Sequence, residues 1–95
     1  MNRIAIIDDS DINLTLLKHL VNKLGDCEPL LFSNSLQGLQ WCIDNEPDLV
    51  IVDYMMPDLD GIGFIERFRA APGRSETPVL MITANDDKEI RYEAL

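Results

Sequence analysis

The stretch Asp48–Gly61, Asp-Leu-Val-Ile-Val-Asp-Tyr-Met-Met-Pro-Asp-Leu-Asp-Gly, decides the fold. Leu49–Val52 are four consecutive apolar residues, three of them β-branched. The run is too short for a buried helix and suits a strand covered on both faces. It ends on a carboxylate, Asp53, and breaks into a loop containing Pro57 and Gly61. Open α/β sheets place their ligands at the C-terminal tips of such strands. The remainder of the chain reads as support for that carboxylate.

Arg3–Ile7 repeats the design, a short apolar run ending in Asp8-Asp9, and is the first strand. Ser10 or Asp11 can cap a helix through its side-chain oxygen. Leu16, Leu17, Leu20, Val21 and Leu24 then recur at three- and four-residue spacing as one apolar stripe, and Gly25 is the expected left-handed stop. Glu28–Phe32 reads as a second strand, at a sheet edge because Pro29 removes a ladder donor. Ser33–Ser35 offers the cap of a second helix from Leu36 to about Asn45, with Leu36, Leu39, Cys42 and Ile43 inward. Gly38 within that helix implies a close helix–sheet approach, and Trp41 is a packing residue. Asp60 caps a third helix, Gly61–Ala70, with Phe64, Ile65 and Phe68 inward. Pro78–Thr83 is the fourth strand. Asn85 is expected to cap a fourth helix that runs to Leu95, with Asp86, Asp87 and Glu89 at the positive end of its dipole.

This alternation of short strands and helices implies right-handed crossovers and a doubly wound parallel α/β sheet with helices on both faces. Ninety-five residues make one domain, and 46% hydrophobic content argues against disorder. A formal charge of −9 and scattered Lys and Arg exclude direct binding to nucleic acid or anionic membrane. Cys27 and Cys42 form no CxxC or Cys/His cluster, so a part-exposed thiol and a buried one are expected. Arg3 is followed by only four apolar residues, unlike a signal peptide, and no run approaches a membrane span. The expected location is cytoplasmic.

Parallel strands deliver their C-terminal ends to one edge: Asp8 and Asp9 from the first, Asp53 from the third, Thr83 from the fourth. Two unit charges about 4 Å apart repel by about 4 kcal/mol at an effective dielectric near 20. Three carboxylates there should raise a pKa or recruit a cation. An all-oxygen set selects a hard ion, Mg²⁺ before Ca²⁺. An Asp pair after a strand is, taken alone, most often a capping feature; Asp53 and Thr83 at the same sheet end change that balance. Asp58 and Asp60 read as a turn residue and a helix cap, and His19 as a solvent-side residue.

At this point the residues resemble a family. Asp8-Asp9, the string Asp53-x-x-Met56-Pro57-x-x-x-Gly61, and Thr83-Ala84 together look like the receiver domain of two-component response regulators, over the whole chain. The resemblance implies a flavodoxin-like sheet of order 2-1-3-4. It implies that Asp53 accepts a phosphoryl group from a phosphohistidine donor, a histidine kinase or phosphotransfer protein. Asp9 would bind Mg²⁺ directly, Asp8 chiefly through water, and the Met55 backbone carbonyl would join Asp53 as a further ligand. Thr83 would bring its hydroxyl to the phosphate, Ala84 would leave room, and Met55 and Asn85 would border the path of hydrolytic water. Such a domain is a regulatory switch coupled to an output domain or partner, rather than an enzyme.

The family also has a lysine after a fifth strand, and a fifth helix; here Lys88 falls on the expected fourth helix and cannot serve. The chain is therefore expected to lack the fifth strand and fifth helix, to be a receiver domain (residues 1–95) truncated in its fourth helix, and to be part of a longer protein. Its fourth strand would be an exposed edge through which a dimer could pair. Two other functions compete: a degenerate receiver used only for protein contacts, and a Mg²⁺-dependent aspartyl-phosphate hydrolase resembling haloacid dehalogenases. The latter wants a second Asp where this chain has Met55.

Overall fold

Two strands of the same design, β1 (Asn2–Ile7) and β3 (Leu49–Asp53), lie side by side in the computed structural model, which describes residues 1–82 and the backbone of 90–93. They pair in parallel with Ile4 opposite Leu49 and Ile7 opposite Val52. β2 (Cys27–Phe32) takes the edge beside β1, also parallel, with Pro29 opposite Ile4. An edge is where a residue without an N–H is tolerated. β4 (Val79–Ile82) pairs in parallel with β3 on the other side, Asp53 facing Ile82. The four parallel strands thus run in the order 2-1-3-4, as the resemblance implies.

Alternation along β1 sorts its side chains to opposite faces. Ala5 and Ile7 join Leu39, Cys42, Val50, Val52, Phe64 and Phe68 in a core under α2 (Ser35–Asn45) and α3 (Gly61–Ala70). Ile4, Ile6 and Ile51 join Leu14 and Val21 of α1 (Asp11–Lys23) on the other face. Side-chain oxygens cap each helix. Ser10 accepts from the Asn13 N–H, Asn34 from Gln37 and Asp60 from Gly63, at 3.3, 3.0 and 2.8 Å. Gly38 is required by proximity, since a Cβ there would lie 2.7 Å from Ile7 Cγ1 and 3.2 Å from Phe32 Cβ. Cys42 is buried and Cys27 half-buried, both free thiols. Trp41 packs on Phe32 with ring centroids 5.5 Å apart.

Three expectations are corrected. The inward face of α1 is Leu14, Leu17 and Val21, while Leu16, Leu20 and Leu24 are 56%, 50% and 70% exposed. The apolar arc of this helix is wider than one helix-on-sheet contact covers, so its far side faces outward. Leu36, in the first turn of α2, is exposed for the same reason. Finally, of the helix expected from Asn85 to Leu95, residues Ile90–Glu93 instead form β5, antiparallel to β4 with Ile82 opposite Ile90. Ile-Arg-Tyr-Glu alternates apolar and polar residues, a strand pattern, and β4 offers it an unpaired ladder. The β4 edge, expected to be open for dimer pairing, is therefore occupied. The fifth parallel strand and fifth helix that the resemblance calls for are absent from the described residues. No helix among the described residues is long and apolar enough to cross a membrane.

Candidate metal centre

The register of β1 against β3 builds the site. Ile7 opposes Val52, so the next residue of each chain segment, Asp8 and Asp53, arrive level at one sheet end. One carboxylate oxygen from each of Asp8, Asp9 and Asp53 lies within 4.8 Å of the other two. Asp8 and Asp53 are 2% and 4% exposed, whereas Asp9 is exposed. The backbone fixes both buried residues: the Asp8 N–H donates to Phe32 O at 3.1 Å, and the Tyr54 N–H to Ile82 O at 2.7 Å.

The two buried carboxyls are satisfied differently. Asp8 Oδ1 accepts the Ser10 N–H at 2.9 Å. Asp53 Oδ1 is buried and has no hydrogen-bond partner among the described residues. Burial pushes the Asp53 carboxyl from the ordinary 3.8 up to about 6, helped by the charges of Asp8 and Asp9 and opposed by the backbone N–H groups of Met55 and Tyr54. Asp8 is raised as well, by burial first, against the pull of Ser10 and Asn13. Full charges within 4.8 Å of one another repel by at least about 3.5 kcal/mol at a dielectric of about 20. A divalent cation would remove that repulsion and give Asp53 Oδ1 a partner. An all-oxygen donor set fits a hard ion.

The loop leaving Asp53 is closed at its base by the Gly61 N–H donating to Tyr54 O at 2.9 Å. Gly61 has no room for a side chain, because a Cβ would meet Asp53 O at 2.7 Å and Tyr54 Cα at 3.0 Å. Asp58 sits in a left-handed turn, φ +70°, and Asp60 caps α3, so both have the structural roles expected of them. Met55 lies two residues beyond Asp53 with its side chain exposed, and Met56 packs against the core. His19 is exposed on α1. Thr83, Ala84, Asn85 and Lys88 lie outside the described residues. One residue escaped sequence reasoning: Ser35, buried, whose hydroxyl donates to Pro57 O in this loop at 3.3 Å. A serine just inside a helix start looks like a second cap and gives no sign of a contact 22 residues away.

Comparison with known proteins matches residues 4–95 to the response regulator receiver domain. The chain is 34% identical over 93 residues to the cyclic di-GMP phosphodiesterase response regulator RpfG of Xanthomonas campestris, covering 97% of this chain and 25% of that protein. It is 32% identical over 92 residues to the chemotaxis protein CheY-3 of Vibrio cholerae, covering 97% of this chain and 71% of that one. Among solved structures, the N-terminal domain of a response regulator receiver protein from Methanoculleus marisnigri superposes with a TM-score of 0.80 at 27% identity, over 93% of this chain and 73% of the other. The chain spans a quarter or less of several relatives, such as RpfG and the regulatory protein AtoC of Escherichia coli. A family match over nearly the full length thus coincides with a 2-1-3-4 parallel sheet and a carboxylate cluster at its C-terminal end, and the chain belongs to the response regulator receiver domains of two-component signalling.

Proposed function

We propose that this chain is a phosphoacceptor switch in which Asp53 takes a phosphoryl group from a phosphohistidine donor, with Mg²⁺ held by Asp8, Asp9, Asp53 and the Met55 carbonyl. One observation carries the reading: a buried carboxylate oxygen without a hydrogen-bond partner among the described residues, Asp53 Oδ1, beside two further carboxylates. The Met55 and Tyr54 N–H groups act on this carboxyl, yet Oδ1 keeps no hydrogen-bond partner among the described residues, which suits a site held for a ligand.

An Asp53 oxygen attacks phosphorus, the bond from phosphorus to the donor imidazole nitrogen breaks with its electron pair returning to that nitrogen, and the imidazole leaves neutral, its other nitrogen keeping the proton it already carried. Bound Mg²⁺ neutralises charge on the phosphoryl oxygens and on the carboxylates. Asp53 must be ionised to attack, and a divalent cation beside it would favour the ionised form that burial and its acidic neighbours oppose. Asp8, tied to Ser10, would hold the metal chiefly through water, and exposed Asp9 would bind it directly together with Asp53 and the Met55 carbonyl. From the family resemblance, Thr83 would supply the hydroxyl that follows the phosphoryl group and Ala84 would leave it space.

The donor would be a histidine kinase or phosphotransfer protein, and the state would pass to an output domain or partner in the cytoplasm. Exposed Ile12, Leu16, Leu20 and Leu24 form an i, i+4 row along α1. Asp11, Ile12, Thr15, Leu16 and His19 line a shallow hollow there. The row begins three residues after Asp9, so a protein delivering phosphohistidine to Asp53 can rest a helix on it.

Acetyl phosphate with Mg²⁺ tests the reading. Wild type should gain about 80 Da, one phosphoryl group, and Asp53→Asn should gain nothing. A contact-only module would not react; a hydrolase would instead turn over a phosphoester.

A further inference from the structure

Among the described residues the buried polar and charged ones are Asp8, Ser35, Asp53 and Arg74. Asp8 and Asp53 belong to the carboxylate cluster. Arg74 donates to Cys42 O and Ile43 O at the C-terminal end of α2, far from it. Ser35 is the remaining one, 3% exposed, and a buried hydroxyl is retained where it has a partner. Its partner is the carbonyl of Pro57.

From this we infer that Ser35 is a positioning residue for the Mg²⁺ site: it sets the conformation of loop 55–60, and with it the Met55 carbonyl, from a fixed point on α2. The inference rests on the reading of Asp53 given above. Its geometry follows a continuous path. Phe32 O holds the Asp8 N–H, and two residues later Asn34 caps α2. Gly38 presses that first turn onto Ile7 with no space for a methyl group. Ser35 therefore stands at a constant distance from the end of β1, which carries Asp8 and Asp9. Its hydroxyl reaches across to Pro57, whose carbonyl also accepts the Leu59 N–H at 2.7 Å. The base of the loop is closed by Gly61 and Tyr54, and Leu59 is buried, yet Met55 is exposed. The Ser35 bond ties the span 55–59 to α2. Of the four proposed ligands, Asp8 and Asp9 directly follow β1, and Asp53 and Met55 belong to β3 and its loop. Ser35 is the brace between those pairs.

The test uses the whole chain in three forms: wild type, Ser35→Ala and Ser35→Thr. Backbone amide shifts of the metal-free proteins are recorded first, then Mg²⁺ is titrated, and thermal midpoints are measured alongside. Ser35→Ala should move the amides of Met55, Met56 and Leu59 and weaken Mg²⁺ about three- to tenfold, the range of one lost hydrogen bond. Ser35→Thr, which keeps a hydroxyl, should bind within about twofold of wild type. Unchanged loop amides and unchanged affinity in Ser35→Ala would overturn the inference. So would equal loss in both variants, or loss that follows the thermal midpoint, because each marks a packing role only. If wild type itself ignores Mg²⁺, the phosphoacceptor reading fails and the inference about the metal site is overturned with it. Loop amides that still move in Ser35→Ala would then show a purely structural brace.

Discussion

The two ends of the sheet treat buried charge in opposite ways. At the C-terminal end, like charges converge and one oxygen, Asp53 Oδ1, lacks a partner among the described residues. At the N-terminal end, arginines meet carbonyls. Arg74 donates to Cys42 O, Ile43 O and Gly73 O and pairs with Glu46 at 3.2 Å. Arg3 donates to Asn45 O and Glu46 O and lies over the Trp41 ring, 5.4 Å from its centroid. Its backbone N–H is taken by Asp48 at 2.7 Å. Both arginines sit where the negative end of the α2 dipole needs a cation. One end is built for stability and the other holds back stability for a ligand, so equivalent mutations should differ in sign.

The largest effect is expected at the paired end. Arg74→Ala removes a guanidinium and leaves buried helix carbonyls unpaired, which should cost about 2–4 kcal/mol in denaturant unfolding. The exposed Glu46 carboxylate contributes little of this, so Glu46→Ala should cost under about 1 kcal/mol. Equal losses in the two variants would mean the ion pair, rather than the carbonyl cap, is what matters.

At the cluster end, Asp53→Asn should stabilise the metal-free protein near neutral pH. The Asp53 carboxyl keeps its proton to about pH 6 in the fold but only to about 3.8 when unfolded. Between those values the native state binds more protons than the unfolded state, so stability falls as pH rises through the window and is level above it. The fall is at most about 3 kcal/mol. Asp8, also raised, adds in the same direction. Urea unfolding from pH 4 to 8 should show this slope in wild type and a shallower one in Asp53→Asn. A wild-type curve that rises over the same window would break the comparison between the two ends. Mg²⁺ should reverse the penalty: at ten times its Kd it adds about 1.4 kcal/mol above pH 6, less below it as the ligands protonate, and little to Asp53→Asn.

Much of this was legible beforehand because each signal was local. Strand ends at Asp8 and Asp53 and caps at Asn34 and Asp60 are set by short stretches of chain, and parallel pairing then brings the carboxylates together. What was not legible depended on partners distant in sequence. The Ser35 contact needs the folded β3–α3 loop. The strand at Ile90–Glu93 needs the free ladder of β4, which outweighs an acidic first turn that favoured a helix. The inward face of α1 needed the width of the sheet contact, since its leucines alone allow more than one choice.

That last ambiguity yields the smallest expected effect. Leu14 is buried against Ile4 and Ile6, and Leu14→Ala should cost about 2–4 kcal/mol. Leu16 and Leu20, half-exposed in the same helix, should cost within about 0.5 kcal/mol when changed to Ala, because helix propensity is kept and no cavity forms. A natural surface seldom holds such a row without a use. If the row receives the donor, Leu16→Ala with Leu20→Ala should slow phosphoryl transfer from a phosphohistidine protein and leave reaction with acetyl phosphate unchanged. The small donor needs only the carboxylate cluster, whereas the protein donor needs the cluster and the row. Equal rates for both donors would remove the α1 row from the proposed encounter without touching the role of Asp53.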